Sequence, residues 1–181
     1  MMNGNDLADQ IMDACKDCDP KDKNPLSVQL KVQNTVASYI EDNMEIDLMF
    51  TGTNAASGAT KVINCKAHIQ FPVFTFLPAP DSNTFAVMLA TALKGGLIQA
   101  ETSSLVVLAP PGLLNPAGLF AGFVPTDMST KDKNFDAKQF SRKYWSNIVN
   151  QIKSNFINPV PYVATSDGGV FIGTASTVAI S

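Results

Sequence analysis

Between Glu101 and Asp127 the chain carries no ionisable side chain: Thr102 to Thr126 reads TSSLVVLAPPGLLNPAGLFAGFVPT. A run of that length without charge has to be covered, by the rest of the chain, by a partner or by lipid. Lipid fails on backbone grounds. Pro110, Pro111, Pro116 and Pro125, with Gly112, Gly118 and Gly122, interrupt the run every few residues, and a bilayer-spanning segment must satisfy its own backbone hydrogen bonds. The stretch therefore reads as apolar and irregular, with Leu105 to Leu108 inside the domain and Leu113 to Phe123 nearer a contact.

The flanks are polar, yet ionic side chains are scarce overall. Of 181 residues 16 % are charged and 45 % apolar, against about a quarter charged in an ordinary globular chain. Such a chain can build one core, and less of its surface than usual can be solvated by charge, as in a subunit packed against others. A net charge of -3 supplies no footprint for phosphate backbones or anionic lipid, so neither nucleic acid nor membrane is the expected partner. The amino-terminal MMNGNDLADQIMDACKDCD is acidic and lacks the basic-then-apolar order of a signal peptide. Three cysteines, an odd number, fit a reducing compartment better than a disulfide framework.

Periodicity predicts a single α+β domain over 1–181: a helical pair and one long amphipathic helix packed with a small antiparallel sheet, plus extended arms. In 1–45, Asn5 or Asp6 caps a first helix with Leu7, Ile11, Met12 and Ala14 on one stripe. A second helix runs from Leu26 to about Met44, with Val28, Val32, Val36, Tyr39 and Ile40 on one side and Gln29, Lys31, Gln33, Asn34, Glu41 and Asp42 on the other. The 46–81 part holds strand-like EIDLMFTG, the loop TNAASGAT and KVINCKAHIQFPVFTFL, interrupted at Pro72. The apolar middle, 82–135, opens with a short helix from Asn83 to Leu93, apolar nearly all round and stopped by Gly95 and Gly96. In 136–181 a helix starts near Asp136 with Phe140, Tyr144, Ile148, Ile152 and Phe156 at four-residue steps, and a hairpin or extended tail follows around Asp167, Gly168 and Gly169. Both long helices lead into a short extended run, a small-residue loop and a strand, a faint internal echo.

The sharpest chemical constellation uses every cysteine and the single histidine. Cys15-x-x-Cys18 and Cys65-x-x-His68 have the ligand count and local spacing of a tetrahedral zinc site, since a three-residue step lets two ligands from one turn reach one ion. Against it, the first pair falls at a predicted helix end, and residues three apart in a strand point to opposite faces. A small zinc-stabilised binding domain is the alternative reading. Enzymatic templates fail: a Ser-His-Asp hydrolase would have to use His68, no G-x-S-x-G elbow surrounds a serine, and no P-loop, dinucleotide fingerprint or H-E-x-x-H occurs. No catalytic residue and no cofactor is expected.

The run QFPVFTFLPAP, with Phe71, Phe74 and Phe76 between Pro72, Pro78 and Pro80, makes a poor central strand and reads as an arm laid over a hydrophobic surface of a neighbour. With Leu113, Leu114, Leu119, Phe120 and Phe123 it forms the candidate interface set, for which Phe74→Asp or Phe120→Asp is expected to block assembly. Helices such as VQNTVASYIEDN and YWSNIVNQIKSNF, leading to a Gly/Ser/Thr-rich tail like DGGVFIGTASTVAIS, resemble those of small virion structural proteins of tailed bacteriophages. That resemblance implies a non-enzymatic component of tail, baseplate or capsid surface. It would assemble in the host cytoplasm and contact other virion subunits and copies of itself.

Overall fold

A computed structural model describes residues 1–18, 25–76, 82–102, 105–109, 128–129, 131–155, 160–166 and 169–181. The fold is α+β. Helices α1 (Gly4–Cys15) and α2 (Pro25–Asn43) precede strands β1 (Glu45–Asn54) and β2 (Thr60–Gln70); α3 (Ser82–Lys94) precedes β3 (Leu97–Thr102) and β4 (Leu105–Ala109); α4 (Ala137–Asn155) precedes β5 (Val160–Ser166) and β6 (Gly169–Ile180). Every strand is antiparallel to its sequence neighbour, and β6 returns to pair with β1, so the expected small sheet closes into a six-stranded barrel. Of the hairpin or extended tail expected here the chain forms the hairpin: β6 pairs with β5 from Gly169 to Ala175 and with β1 from Phe171 to Ile180.

The first helix is capped by Asn3 rather than Asn5 or Asp6. Asn3 is extended and its side chain accepts the Asn5 N–H, which leaves the two expected caps inside the first turn. The α1 helix runs antiparallel to both other long helices. Asn3 meets the Tyr39 hydroxyl through its own N–H (2.6 Å) and carbonyl (2.8 Å), while Gly4 and Asp9 meet Ser146 and Arg142 of α4. At the α1–α4 crossing a Cβ on Gly4 would lie 2.2 Å from the Ser146 Cα, so only a glycine allows this approach. The expected helical pair is thus a trio, with α1 in the middle. Asp136 starts α4 by accepting the N–H groups of Lys138 and Gln139 (2.9 and 3.0 Å).

The Arg142 guanidinium grips Asp9 with both ends of its fork, at 3.1 and 2.5 Å, with Lys138 at 4.0 Å. Arg142 holds the Asp9 carboxyl below its ordinary value of 3.8. A depressed carboxyl contributes stability that is present above the unfolded value and is lost as pH falls through the lower folded value. The difference in urea midpoint between the parent and Arg142→Gln is therefore expected to shrink as pH drops from about 6 to about 3. A gap independent of pH would show that the pair contributes nothing through ionisation.

Closure of the barrel can be followed in its register. Ile46 pairs with Ala67, Ala67 with Ala100, Ala100 with Val107, Val107 with Ala164, Ala164 with Phe171, and Phe171 with Asn54. One circuit thus returns to β1 eight residues beyond its start, from Ile46 to Asn54. A stagger of this size tilts the strands strongly, by about 35–45° to the axis, and it brings side chains from different heights into one layer. Ile46, Leu48, Phe50 and Asn54 are buried on β1, Ala67 and Ile69 on β2, and Phe171 on β6. All of these but Asn54 form one continuous core with Leu7, Ile11, Val36, Ile40, Leu89, Trp145, Ile148 and Ile152 of the helices. Asn54 ends β1: its side-chain oxygen accepts the N–H groups of Ala56 and Ser57 (2.8 and 2.9 Å), and Gly58 takes a φ of +71° in the turn to β2.

The Phe/Pro segment lies on this protein's own helix. The Phe71 N–H donates to Glu41 (2.6 Å), the Phe76 N–H to Gln33 (3.4 Å), and the Gln29 amide to the Phe76 carbonyl (2.5 Å). Gln29, Gln33 and Glu41 were expected on the solvated side of α2. Their four- and eight-residue spacing instead makes a ladder of side chains that satisfies a strandless backbone.

Candidate functional site

Strand alternation places odd-numbered residues of β1 outside the barrel. Around Thr51 the outer layer is Val62 on β2 and Thr174 on β6; one layer toward the turns it is Thr53 with Thr60 and Ile172, and one layer back it is Met49 with Asn64 and Ser176. This half of the three-stranded face is uncharged and β-branched, with Met49, Val62 and Ile172 at 41, 59 and 58 % exposure. Val178, 65 % exposed, extends it: the register shifts between Asp47 and Leu48, and β6 carries Val178 as the extra residue of a bulge. Ionic groups gather on the other half, where Lys66 pairs with Glu45 and holds that carboxyl below its ordinary 4.5. The face can offer apolar area and hydroxyls to a partner, and little charge to keep water on it. It escaped the sequence reading because alternation in EIDLMFTG marks two faces without telling which half of the outer one is bare.

The expected interface residues divide. Phe76 is 5 % exposed in the protein's own core, which corrects its assignment to an interface, and Phe71 and Phe74 are half-buried against that core. Their rings form an edge-to-face series, Phe71 to Phe74 at 4.8 Å, Phe74 to Phe76 at 5.7 Å and Phe76 to Phe85 at 5.3 Å, continuing from Phe85 to Tyr144 at 6.3 Å and from Tyr144 to Trp145 at 5.5 Å. Burial pushes the Tyr144 phenol up to about 12. Phe74→Asp thus strikes the fold as well as any contact. Leu113, Leu114, Leu119, Phe120 and Phe123 lie outside the described residues, as does Phe156.

The cysteine and histidine positions are spread along the molecule. Cys15 ends α1, with Cys18 close enough to raise its thiol after the larger effect of burial. His68 is exposed on β2 opposite Glu45, next to the end of α2 that meets Asn3 at the start of α1. A 12-residue helix is about 18 Å long, so the Cys15–Cys18 pair and His68 lie near opposite ends of α1. Cys65 is on β2 opposite Leu48. Among the described residues no three His, Cys, Asp or Glu side chains gather as metal ligands, and no helix is long and apolar enough to cross a membrane.

Two concavities lie among the described residues. A solvent-open groove of about 580 Å3 runs between α1 and α2, lined by Asp9, Asp13, Ala14, Asn34 and Ser38. A smaller apolar one of about 280 Å3 lies between Phe76 and the outer side of α3 at Val87, Met88 and Thr91. Neither brings together an acid, a base and a nucleophile. No family model, no curated protein and no solved structure matches this chain.

Proposed function

We propose that this protein acts by burial rather than by chemistry, as a non-enzymatic structural subunit of a larger assembly of the kind found in tailed-phage virions. The observation that carries this reading is the uncharged outer half-face of β1, β2 and β6. Met49, Val62, Ile172 and Val178 stand exposed on it with no charged side chain among them, and a face of this kind can supply part of the ~800 Å2 that each partner contributes to a standard protein interface. The low charged fraction of the chain, 16 %, belongs to the same picture, because a surface that is covered in the assembly needs few ionic groups. Other subunits and further copies of this chain are the partners that such a face serves.

The double variant Thr51→Lys, Ile172→Lys places two charges on this face without entering the core. It is expected to keep the parent melting temperature and to lose association beyond a dimer, read by sedimentation velocity on the purified chain, or incorporation into particles where these are formed. Undiminished assembly by the folded variant would sink the assignment.

A further inference from the structure

Among the described residues, the barrel is closed by short strands at one end, and a long strand lacks a second ladder partner at the other. Strand β3 pairs with β2 only from Ala67 to Gln70. Among the described residues, β2 from Thr60 to Lys66 has a ladder partner on the β1 side alone. The phase of that ladder is set at both ends. The Asn54 N–H donates to the Ala59 carbonyl (2.8 Å), so even-numbered β1 residues turn their backbone groups to β2. Glu45 exchanges hydrogen bonds with Ser181, so odd-numbered ones turn to β6. The β2 residues opposite the odd positions are Thr60, Val62, Asn64 and Lys66. Their N–H and C=O groups therefore point away from β1, toward the open edge.

An open edge of seven residues is a template for another strand. Proteins often blunt such edges with lysine, but both lysines here are engaged within the molecule: Lys66 with the Glu45 carboxylate, and Lys61 over the Phe171 ring at 5.7 Å. We propose that this edge pairs antiparallel with the same edge of a second copy, about a two-fold axis at Ile63, which gives the assembly reading above its first partner. In that register Thr60 faces Lys66 and Val62 faces Asn64, so each outward-turned residue meets another outward-turned residue and the bonds can form in pairs. Lys61 falls opposite position 65, and no lysine opposes a lysine. A two-fold contact uses one surface twice and closes at the dimer. It also joins the uncharged face of one copy to that of the other, through Val62 beside the partner copy's Asn64, as one continuous surface for further subunits.

Val62→Pro tests this pairing selectively. It deletes an N–H that faces the edge and leaves the β1 ladder, which uses Lys61 and Ile63, intact; proline is tolerated on an edge strand. The full chain is expected to sediment as a dimer, Val62→Pro as a monomer of unchanged melting temperature with dimerisation weakened about tenfold or more, and Val62→Thr, which retains the N–H, as a dimer. Amide exchange at Thr60, Val62, Asn64 and Lys66 is expected to slow as protein concentration rises. A parent that stays monomeric at about 100 μM, a concentration at which a micromolar contact forms, overturns the pairing. So does a folded Val62→Pro variant that dimerises like the parent. A dimer that survives Val62→Pro but is lost in Thr51→Lys, Ile172→Lys overturns the edge and leaves the burial reading standing.

Discussion

Gly173→Val is expected to cost about 3 kcal/mol or more, a large part of the 5–15 kcal/mol that holds a domain together. Gly173 pairs with Gly52 across β1 and β6. A Cβ at Gly173 would lie 1.9 Å from the Thr51 carbonyl oxygen and 2.5 Å from the Gly52 Cα, both backbone atoms. No rotamer change relieves a clash with backbone, so the strands must part or the barrel must distort at this point. Urea denaturation measures the cost. A midpoint within error of the parent would mean that β1 and β6 do not approach as closely as this register requires. Val178→Ala serves as the comparison on the same strand, since that side chain is exposed on the bulge and its loss leaves the core unchanged.

Phe50→Ala should be about as damaging, at about 3–5 kcal/mol. The ring is fully buried and lies over the adjoining glycine, where a Cβ on Gly52 would come within 2.4 Å of it. Phe50 thus occupies the space that Gly52 leaves empty, while Gly173 packs against the β1 backbone. With the ring removed, neither glycine has a side chain to move into the cavity, so the site cannot collapse and the cost belongs at the upper end of the large-to-small range. Phe50→Leu refills part of the volume and is expected to recover about half of the loss. Equal losses for Ala and Leu would show that ring shape, not cavity volume, governs the site.

The two substitutions probe one design. A barrel of six strands with a stagger of eight has a narrow interior, and the glycine pair with its covering phenylalanine lets β1 and β6 bend around it. The same stagger explains the open edge of β2. Long strands β1, β2 and β6 project past the short β3 and β4, so their turn-side ends extend beyond the closed part of the wall.

The elements that were legible in the sequence are those governed by local rules. Spacings of three and four residues located α2 and α4; Asp136 marked the start of α4; Asn83 and the Gly95-Gly96 stop located α3 to within one residue at each end. The strands of EIDLMFTG and of the carboxy-terminal hairpin followed from alternation around small-residue turns. The echo between the two halves has its counterpart in the fold, as α2 leads to the β1–β2 hairpin and α4 to the β5–β6 hairpin. Leu105 to Ala109, read as part of an irregular run, forms a regular strand, because pairing to β3 and β5 outweighs the prolines that begin only at Pro110.

What tertiary structure alone decided was where each face points. The charge-poor sequence by itself determined that much of this chain must be covered, and its periodicities determined which segments are helix or strand. It carried no statement that β6 closes on β1, because that contact joins residues more than a hundred positions apart through a register summed over six pairings. For the same reason it misplaced the Phe/Pro segment. Gln29, Gln33 and Glu41 look like a solvated face until the backbone of 71–76 lies down on them. Phe76 looks like a free anchor until Phe85 meets it. Local propensity is written in neighbours along the chain, whereas a surface is whatever long-range packing leaves uncovered. Among the described residues that includes the half-face of β1, β2 and β6 and the edge of β2 beside it.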